Sequence, residues 1–500
     1  MEIKNLQDKV LSFLDKNSNL ILIAILIFAL ILRLKYFNIN QAVWYDEATY
    51  LSAAKSWAFG IPYEIEFVRP IFLPFMMAMF YNLGATELAL RVLILIFSMA
   101  GVLFTYLVGK EMFDKKIALI AAFITSFFYV NLFYTARIMT ETPSMVFWLI
   151  SLWLFWKGYV KNESKIYLWF FGFFMILGIL TRFPSGLLGI IILFYLLLTD
   201  KFRFLKNKNL WIAVTIAVII LIPYSIWYYT TYQKIPIIGA AGFYHSQNYL
   251  YTYISMLPMV FQSPIPALSE ILPWGGHFFI ILLFLAIAVI IFNLIMGYDM
   301  LTKEERLKKN LLMILWTFIP FFYFAFLAGQ FPEDRYLFFS YPAAFYLVGF
   351  GFMFIYDKFK KYSKFLMIIL IILVLSFVSY GQINYADSII KIKSSSYIQF
   401  KHAGEFIKAN SNHEDKIIST GAPQLTYYSE RKVIYWPEEE DIKKFIEENN
   451  DVRFIVLSLL EQSPPWTYTW PEKNSDKIVP IEAYLDQQQR PILIIYEIKR

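Results

Sequence analysis

The chain contains no cysteine, only four histidines, and charged residues at just 17% of its 500 positions. The absence of cysteine excludes disulfide bonds and thiolate metal sites, and four scattered histidines do not make a metal cluster. With so few charges and 58% hydrophobic residues, the chain has far more apolar surface than a soluble protein of this size buries. The composition therefore indicates a polytopic membrane protein.

Long apolar runs fill the first three quarters of the sequence, and we predict that eleven of them span a membrane, although the run 185–199 is short. The predicted spans are 19–36, 88–109, 116–134, 142–158, 166–182, 185–199, 209–230, 274–297, 309–329, 335–357 and 363–380. One further apolar stretch carries two prolines in its first turns and is about 14 residues long, too short for a comfortable span. We predict an interfacial helix there, at 70–83.

The segments between these spans differ in charge. With eleven spans, one side receives 21 Lys and Arg residues, whereas the other receives 9 up to residue 380 over a greater length. The positive-inside rule assigns the Lys-rich side to the cytoplasm. We therefore predict a multi-pass protein of the cell membrane with a cytoplasmic N-terminus and an extracytoplasmic C-terminus. Because these loops account for the net charge of +7, no nucleic-acid partner is predicted.

The composition changes after residue 380. The last part of the chain is polar and mixed, and its strand-like runs alternate with helical patterns, which indicates a small α/β domain. The strand-like runs are 416–420, 432–436, 453–459 and 491–499. The predicted fold class is an all-α polytopic membrane domain of about 11 transmembrane helices over 1–380. An extracytoplasmic α/β domain follows over 381–500.

Several acids and arginines of the membrane domain gather at its external face, while the span interiors hold essentially no ionisable residue. An ionisable residue at mid-bilayer costs roughly 2.5–3.5 kcal/mol and marks a transport pathway. The lack of ionisable residues inside the predicted spans therefore argues against an ion-coupled transporter. The external candidates are the acids Asp46, Glu47 and Glu141 and the cations Arg69, Arg137, Arg182 and Arg335.

This combination suits a substrate carried on a lipid phosphate. Arginine binds phosphate oxygens through two parallel hydrogen bonds and stays charged when partly desolvated. A nearby carboxylate can accept the proton of an attacking hydroxyl group. The sequence therefore predicts one base, several phosphate-binding cations and an aromatic-rich wall on one surface.

Structural explanations remain open for each candidate. Asp46 is a good helix N-cap, and Glu141 is a first-turn acid that complements a helix dipole. Arg335 has Glu333 and Asp334 beside it for a surface ion pair. Headgroup anchoring equally explains the remaining arginines, which are Arg69, Arg137 and Arg182.

Several segments, taken in order, resemble the GT-C membrane glycosyltransferases. They are "LRLKYFNINQAVWYDEATY", the proline-led interfacial helix, "LGATELALRVLILIFS", "ARIMTETPS" and "RYLFFSYP". Within that group the chain is similar to the branch of protein O-mannosyltransferases and lipid A aminoarabinose transferases, over roughly residues 19–356. The resemblance implies transfer of a sugar from a polyprenyl-phosphate carrier to an external acceptor, usually with inversion.

The resemblance also implies residue roles. The acidic pair of the first external loop falls on Asp46 and Glu47, with Asp46 as the base. A second acidic position, commonly Asp in the family, falls on Glu141, and an arginine for the donor phosphate falls on Arg335. Oligosaccharyltransferases share the fold and use a divalent metal, but this chain has no Asp-x-Asp, so neither a metal nor another cofactor is predicted.

Two long external loops are predicted, at 38–87 and 231–272. Loops of the second one's length are often functional. We therefore predict that Tyr244, His245 and Tyr249 form a lid over the substrate. A lone histidine is more often structural than catalytic, and a wet interfacial belt explains the aromatic residues equally well.

The predicted function is that of an integral membrane glycosyltransferase that uses a polyprenyl-phosphate sugar, with a dolichyl- or undecaprenyl-phosphate carrier. Its predicted partners are this donor, a protein, lipid or glycan acceptor, and membrane lipids. One alternative is a lipid-linked sugar flippase or polysaccharide transporter, which requires ionisable residues along a path across the bilayer. Another is a non-catalytic membrane assembly protein, in which alanine at the candidate base and phosphate-binding arginine would be harmless.

Overall fold

The computed structural model describes residues 16–235, 248–261, 277–328, 332–486 and 488–499. Its membrane part is helical almost throughout. The helices are α1 (Ser18–Tyr36), α2 (Tyr45–Phe59), α3 (Phe72–Asn82), α4 (Glu87–Met112), α5 (Lys115–Phe127), α6 (Tyr129–Thr135), α7 (Glu141–Phe155), α8 (Lys165–Thr181), α9 (Leu187–Asp200), α10 (Lys208–Tyr232), α11 (Leu250–Phe261), α12 (Phe278–Met296), α13 (Glu305–Phe322), α14 (Tyr341–Phe359) and α15 (Lys364–Lys393). Short π-helical segments follow α7 and α13, at Trp156–Val160 and Tyr323–Leu327, and a 3₁₀ segment, Asp334–Phe339, precedes α14.

Among the described residues, seven helices are long and apolar enough to cross a membrane. The pair α5 and α6, bent by 53°, makes an eighth if it is counted as one span, and it coincides with the predicted span 116–134. The predicted spans 142–158, 166–182 and 335–357 fall on α7, α8 and α14. The mostly helical membrane domain is therefore confirmed, whereas the total of eleven spans stays a prediction.

Helix α15 continues beyond the end of its predicted span at residue 380. Apolar composition stops there, but Gln382, Ala386 and Ile390 are buried and keep one side of the helix packed against the protein. On another side, Asp387 pairs with Lys35 and Lys391, each at 2.6 Å. The predicted domain boundary at 380/381 thus lies inside one continuous helix.

Helix α3 occupies the segment predicted to be interfacial. Leu73, Met77 and Tyr81 are buried, whereas Phe75 and Met79 are exposed on the opposite side. A short helix that packs through one apolar face and exposes another is typical of a segment at a membrane surface. Its position in the membrane stays a prediction.

The C-terminal part forms the predicted α/β domain around a five-stranded sheet of order β2-β1-β3-β5-β4. The strands are β1 (Lys416–Ile418), β2 (Lys432–Ile434), β3 (Val452–Ser458), β4 (Ile478–Leu485) and β5 (Pro491–Ile498). The helices are α16 (Ile398–Ala409), α17 (Ala422–Ser429), α18 (Ile442–Glu448) and α19 (Trp470–Lys473). Strand β4 is absent from the sequence prediction because it is a half-exposed edge strand that contains Pro480, which a central strand does not tolerate.

Helix α17 packs the C-terminal domain against α2. The hydroxyl of Ser52 donates to the carbonyl of Pro423 at 3.1 Å, and the amide of Val43 donates to the hydroxyl of Tyr428 at 2.9 Å. Lys55 pairs with Glu430 at 3.0 Å. The helix that begins with the acidic pair is therefore covered on one side by the C-terminal domain.

Candidate active site

Asp46 and Glu47, the two adjacent acids in the first turn of α2, point in different directions. Glu47 is completely buried and accepts hydrogen bonds from the amides of Trp44 at 3.0 Å and Ile138 at 2.8 Å. It also pairs with Arg137 at 3.0 Å, and that guanidinium lies 3.6 Å from the centre of the Trp44 ring. These contacts fasten the start of α2 to the turn before α7.

Asp46 instead faces a cavity, where two arginines hold its carboxylate. One oxygen is 2.7 Å from Nη1 of Arg69, and the other is 2.7 Å from Nη1 of Arg335. Burial alone would raise the pKa of the Asp46 carboxyl, but these two guanidinium groups outweigh it and hold that pKa below its ordinary value. The same ion pair raises the pKa of Arg335, against the lowering effect of its burial.

Arg335 belongs to the 3₁₀ segment before α14, and its neighbour Asp334 anchors that segment. The partly buried Asp334 carboxylate accepts a hydrogen bond from the hydroxyl of Tyr129 at 2.7 Å. Its carbonyl oxygen accepts one from the hydroxyl of Tyr341 at 2.6 Å. Nη2 of Arg335 also donates to Glu333 at 3.1 Å, so the guanidinium is held from two sides.

Glu141 begins α7 and forms a second ion pair in the same cavity. Its Oε1 accepts from Arg182 at 2.8 Å and lies 3.7 Å from Nη1 of Arg335. Arg182 also donates to the hydroxyl of Thr140 at 3.2 Å. The second carboxylate oxygen of Glu141 is buried and has no hydrogen-bond partner within the described ranges.

The cavity has a volume of about 730 Å³. Its lining combines carboxylates, arginines and aromatic rings supplied by segments far apart in the sequence. The charged lining residues are Asp46, Glu64, Glu66, Glu141, Arg69, Arg182 and Arg335, and the aromatic ones are Tyr50, Phe67, Phe183, Tyr232, Tyr323, Phe324 and Tyr336. Such a pocket can hold a phosphate against cations and a sugar against aromatic faces.

The structure brings five of the predicted acids and arginines to this cavity and leaves two outside its lining. Glu47 and Arg137 are the two, because they are buried against each other. Of the predicted lid, Tyr244 and His245 lie outside the described residues. The amide of Tyr249 donates to the carbonyl of Ala325 at 2.8 Å, and Tyr249 does not line the described cavity.

The sequence prediction missed many of the cavity residues, among them Tyr50, Glu66 and Tyr336. Tyr50 lies one turn after Asp46 on the same helix, and this spacing of four residues was available as a signal. Glu66 lies three residues before Arg69 and pairs with its Nε at 3.2 Å. Tyr336 follows Arg335 directly, and its position depends on the 3₁₀ turn, which the sequence does not reveal.

Over the ranges that the structure describes, no group of three or more His, Asp and Glu side chains is arranged to hold a metal ion. The sequence expectation of no cofactor stays a prediction.

The chain has the fold of the GT-C membrane glycosyltransferases, so the resemblance seen in the sequence is confirmed. The family described as dolichyl-phosphate-mannose-protein mannosyltransferase matches residues 68–227, about a third of the chain. None of the curated proteins matches the chain in sequence.

Solved structures cover nearly the whole chain. ArnT from Cupriavidus metallidurans in the apo state matches with a TM-score of 0.67 at 12% identity, over 95% of this chain and 97% of ArnT. The same protein bound to undecaprenyl phosphate gives 0.66 at 13% identity over the same shares of the two chains. The archaeal oligosaccharyltransferase AglB from Archaeoglobus fulgidus, in complex with an inhibitory peptide and a dolichol-phosphate, gives 0.56 at 15% identity over 89% of this chain and 70% of AglB. At these identities the likeness establishes the fold alone.

Proposed function

We propose that the chain transfers a sugar from a polyprenyl-phosphate donor to a protein, lipid or glycan acceptor on the external face of the cell membrane. One observation carries this proposal: Asp46, Arg69 and Arg335 meet in a single cavity that also contains Glu141 and Arg182. A carboxylate beside several arginines is the equipment that a phosphate leaving group requires. The undecaprenyl phosphate bound by ArnT and the dolichol-phosphate bound by AglB support this class of donor.

Asp46 is the proposed general base. It accepts the proton of an acceptor hydroxyl or amine while the acceptor oxygen or nitrogen attacks the anomeric carbon of the sugar. The bond between that carbon and the phosphate oxygen breaks, and its electron pair stays on the lipid phosphate. Arg335 and Arg69 stabilise the charge that develops there. A single displacement of this kind inverts the configuration at the anomeric carbon.

The ion pairs of Asp46 with Arg69 and Arg335 suggest that the donor binds before Asp46 acts as a base. A carboxylate held by two arginines is a weak base because its pKa is lowered. The donor phosphate competes with Asp46 for the guanidinium groups of Arg69 and Arg335. We propose that donor binding releases the carboxylate and raises its pKa toward the ordinary range, so the base becomes active only when the donor is present.

The proposed orientation follows from the loop charges, with a cytoplasmic N-terminus and an extracytoplasmic C-terminal domain. In this orientation the cavity opens at the outer leaflet, where the lipid tail of the donor remains in the membrane. Arg182 and Glu141 line the same cavity as Asp46 and Arg335.

The proposal is tested by offering the purified protein a panel of polyprenyl-phosphate sugars and measuring which one is consumed. We expect Asp46→Asn to abolish turnover, because an amide cannot accept the proton. The matched control is Asp387→Asn, which neutralises a carboxylate that pairs with two lysines outside the cavity. Turnover by the Asp46 variant removes that residue from the mechanism, and translocation of lipid-linked sugar without consumption favours a flippase.

A further inference from the structure

A chain of polar contacts runs from the C-terminal domain into the candidate active site. The hydroxyl of Tyr435 is 3.0 Å from that of Tyr45, which donates to Oε1 of Glu66 at 3.1 Å. Oε2 of Glu66 accepts from Nε of Arg69 at 3.2 Å. Nη1 of Arg69 is 2.7 Å from Asp46. Each residue therefore contacts the next, and the series ends at the proposed base.

Arg69 needs such support because it lies in the irregular segment between α2 and α3. Two hydroxyls hold the backbone of that segment: Tyr228 donates to the carbonyl of Phe67 at 3.0 Å, and Tyr232 donates to that of Ile65. These bonds fix the main chain but do not by themselves orient the long, flexible arginine side chain. Glu66, whose carbonyl accepts from the Arg69 amide at 2.9 Å, fixes the side chain as well.

We propose that Glu66 and Tyr45 are positioning residues for Arg69, and that Tyr435 extends this support from the C-terminal domain. The proposal rests on the proposed function, since it assigns Arg69 to the donor phosphate. Glu66 holds the Nε edge of the guanidinium, so the terminal nitrogens point toward Asp46 and, when the donor is bound, toward its phosphate. Tyr45 keeps the Glu66 carboxylate turned toward Arg69.

The two carboxylates on Arg69 then have opposite effects on phosphate binding. Asp46 occupies a terminal nitrogen that the phosphate needs, so it competes with the donor. Glu66 instead accepts from the Nε edge of Arg69 and orients its terminal nitrogens toward the phosphate. Removing the negative charge of Glu66 also lessens its repulsion of the phosphate. If Glu66 positions Arg69, the loss of this positioning must weaken phosphate binding by more than the lessened repulsion strengthens it. Weaker binding by a Glu66 variant therefore indicates positioning, and tighter binding indicates competition with the donor.

The test titrates undecaprenyl phosphate, without a sugar, into the purified full-length protein and measures the dissociation constant. We expect Glu66→Gln to raise Kd about tenfold, which corresponds to the loss of one charge-assisted hydrogen bond. Tyr45→Phe, which changes no charge, should raise Kd about threefold to tenfold. The double variant should bind no more weakly than Glu66→Gln alone, because Tyr45 acts through Glu66.

Tyr435→Phe tests the contribution of the C-terminal domain. Because this hydroxyl is half-exposed, we expect only about a twofold rise in Kd, and none when Tyr45 is already Phe. Tyr428→Phe is the matched control. It removes a hydroxyl from the same interface, where Tyr428 accepts from Val43, but it does not belong to the chain that leads to Arg69, so Kd should stay unchanged.

A purely structural role for these residues would lower the melting temperature of the variants and would persist when Arg69 is Lys. A positioning role predicts instead that the effect of Glu66→Gln on Kd depends on Arg69. In an Arg69→Lys background, Glu66→Gln should therefore have no further effect on Kd. Unchanged or tighter binding by Glu66→Gln, or additive losses in the double variant, overturns the assignment. If the unaltered protein binds neither undecaprenyl phosphate nor dolichyl phosphate, the proposed function itself fails.

Discussion

Asp46 and Glu47 are adjacent in the sequence and have opposite environments in the structure. Successive helical residues point about 100° apart, so one acid faces the cavity while the other pairs with Arg137 in the protein interior. The sequence alone indicates that both lie at an external helix start. It does not reveal which one faces the cavity, because that depends on Arg69, Arg137 and Arg335, which are distant along the chain.

Neutralising Asp46 should separate donor binding from turnover. In the resting structure its carboxylate competes with a phosphate for two guanidinium groups. We therefore expect Asp46→Asn to bind undecaprenyl phosphate about tenfold more tightly than the unaltered protein, although it transfers no sugar. Titration of the lipid into both proteins measures this, with Asp387→Asn as the charge-matched control. Weaker binding by the Asp46 variant would contradict the proposed exchange of partners.

The lowered pKa of Asp46 also predicts how its contribution to stability depends on pH. The carboxyl of the unfolded chain titrates near pH 4, whereas in the folded protein the two arginines keep it ionised to lower pH. Its stabilising contribution is therefore complete above pH 4 and is lost as the pH falls through the folded pKa, by about 1.4 kcal/mol per pH unit. Denaturation of the unaltered protein and Asp46→Asn should give free energies of unfolding that converge below pH 4 and stay parallel above it.

At the scale of single elements, the 3₁₀ segment Asp334–Phe339 determines where Arg335 lies. Tyr129→Phe removes the hydroxyl that donates to the partly buried Asp334 carboxylate. We expect it to destabilise the protein by about 1–3 kcal/mol, because it removes one hydrogen bond to a charged acceptor. The affinity of this variant for undecaprenyl phosphate should also fall, because Arg335 lies in the same segment.

The matched control for that element is Tyr385→Phe. Its ring packs against Tyr129 with 4.8 Å between the ring centres, so the variant removes a hydroxyl from the same neighbourhood without touching the Asp334 bond. Thermal unfolding should show a smaller change than for Tyr129→Phe. Equal changes in the two variants would mean that the bond to Asp334 does not hold the segment.

Elements with strong periodic or compositional signals were predictable, and those set by distant contacts were not. The apolar runs of α1, α4, α10 and α12 fix their own helices, since their length matches a bilayer. The extension of α15 past residue 380 depends on packing against other parts of the protein. Strand β4 depends on its edge position, where an exposed strand with a proline loses the usual alternating pattern.

For the whole molecule, segregation of charge predicts which compartment each part occupies. The cysteine-free sequence permits single-cysteine labelling without a background to remove. Lys206→Cys lies in an exposed turn between α9 and α10, and Asn412→Cys lies in an exposed turn of the C-terminal domain. A membrane-impermeant maleimide should label Asn412→Cys in intact cells and Lys206→Cys only after lysis, because the positive-inside rule retains the Lys-rich loops in the cytoplasm. The reverse pattern would place the cavity of Asp46 and Arg335 at the cytoplasmic leaflet, where an externally loaded donor could not reach it. Labelling of both from outside would contradict the predicted cytoplasmic position of the Lys-rich loops.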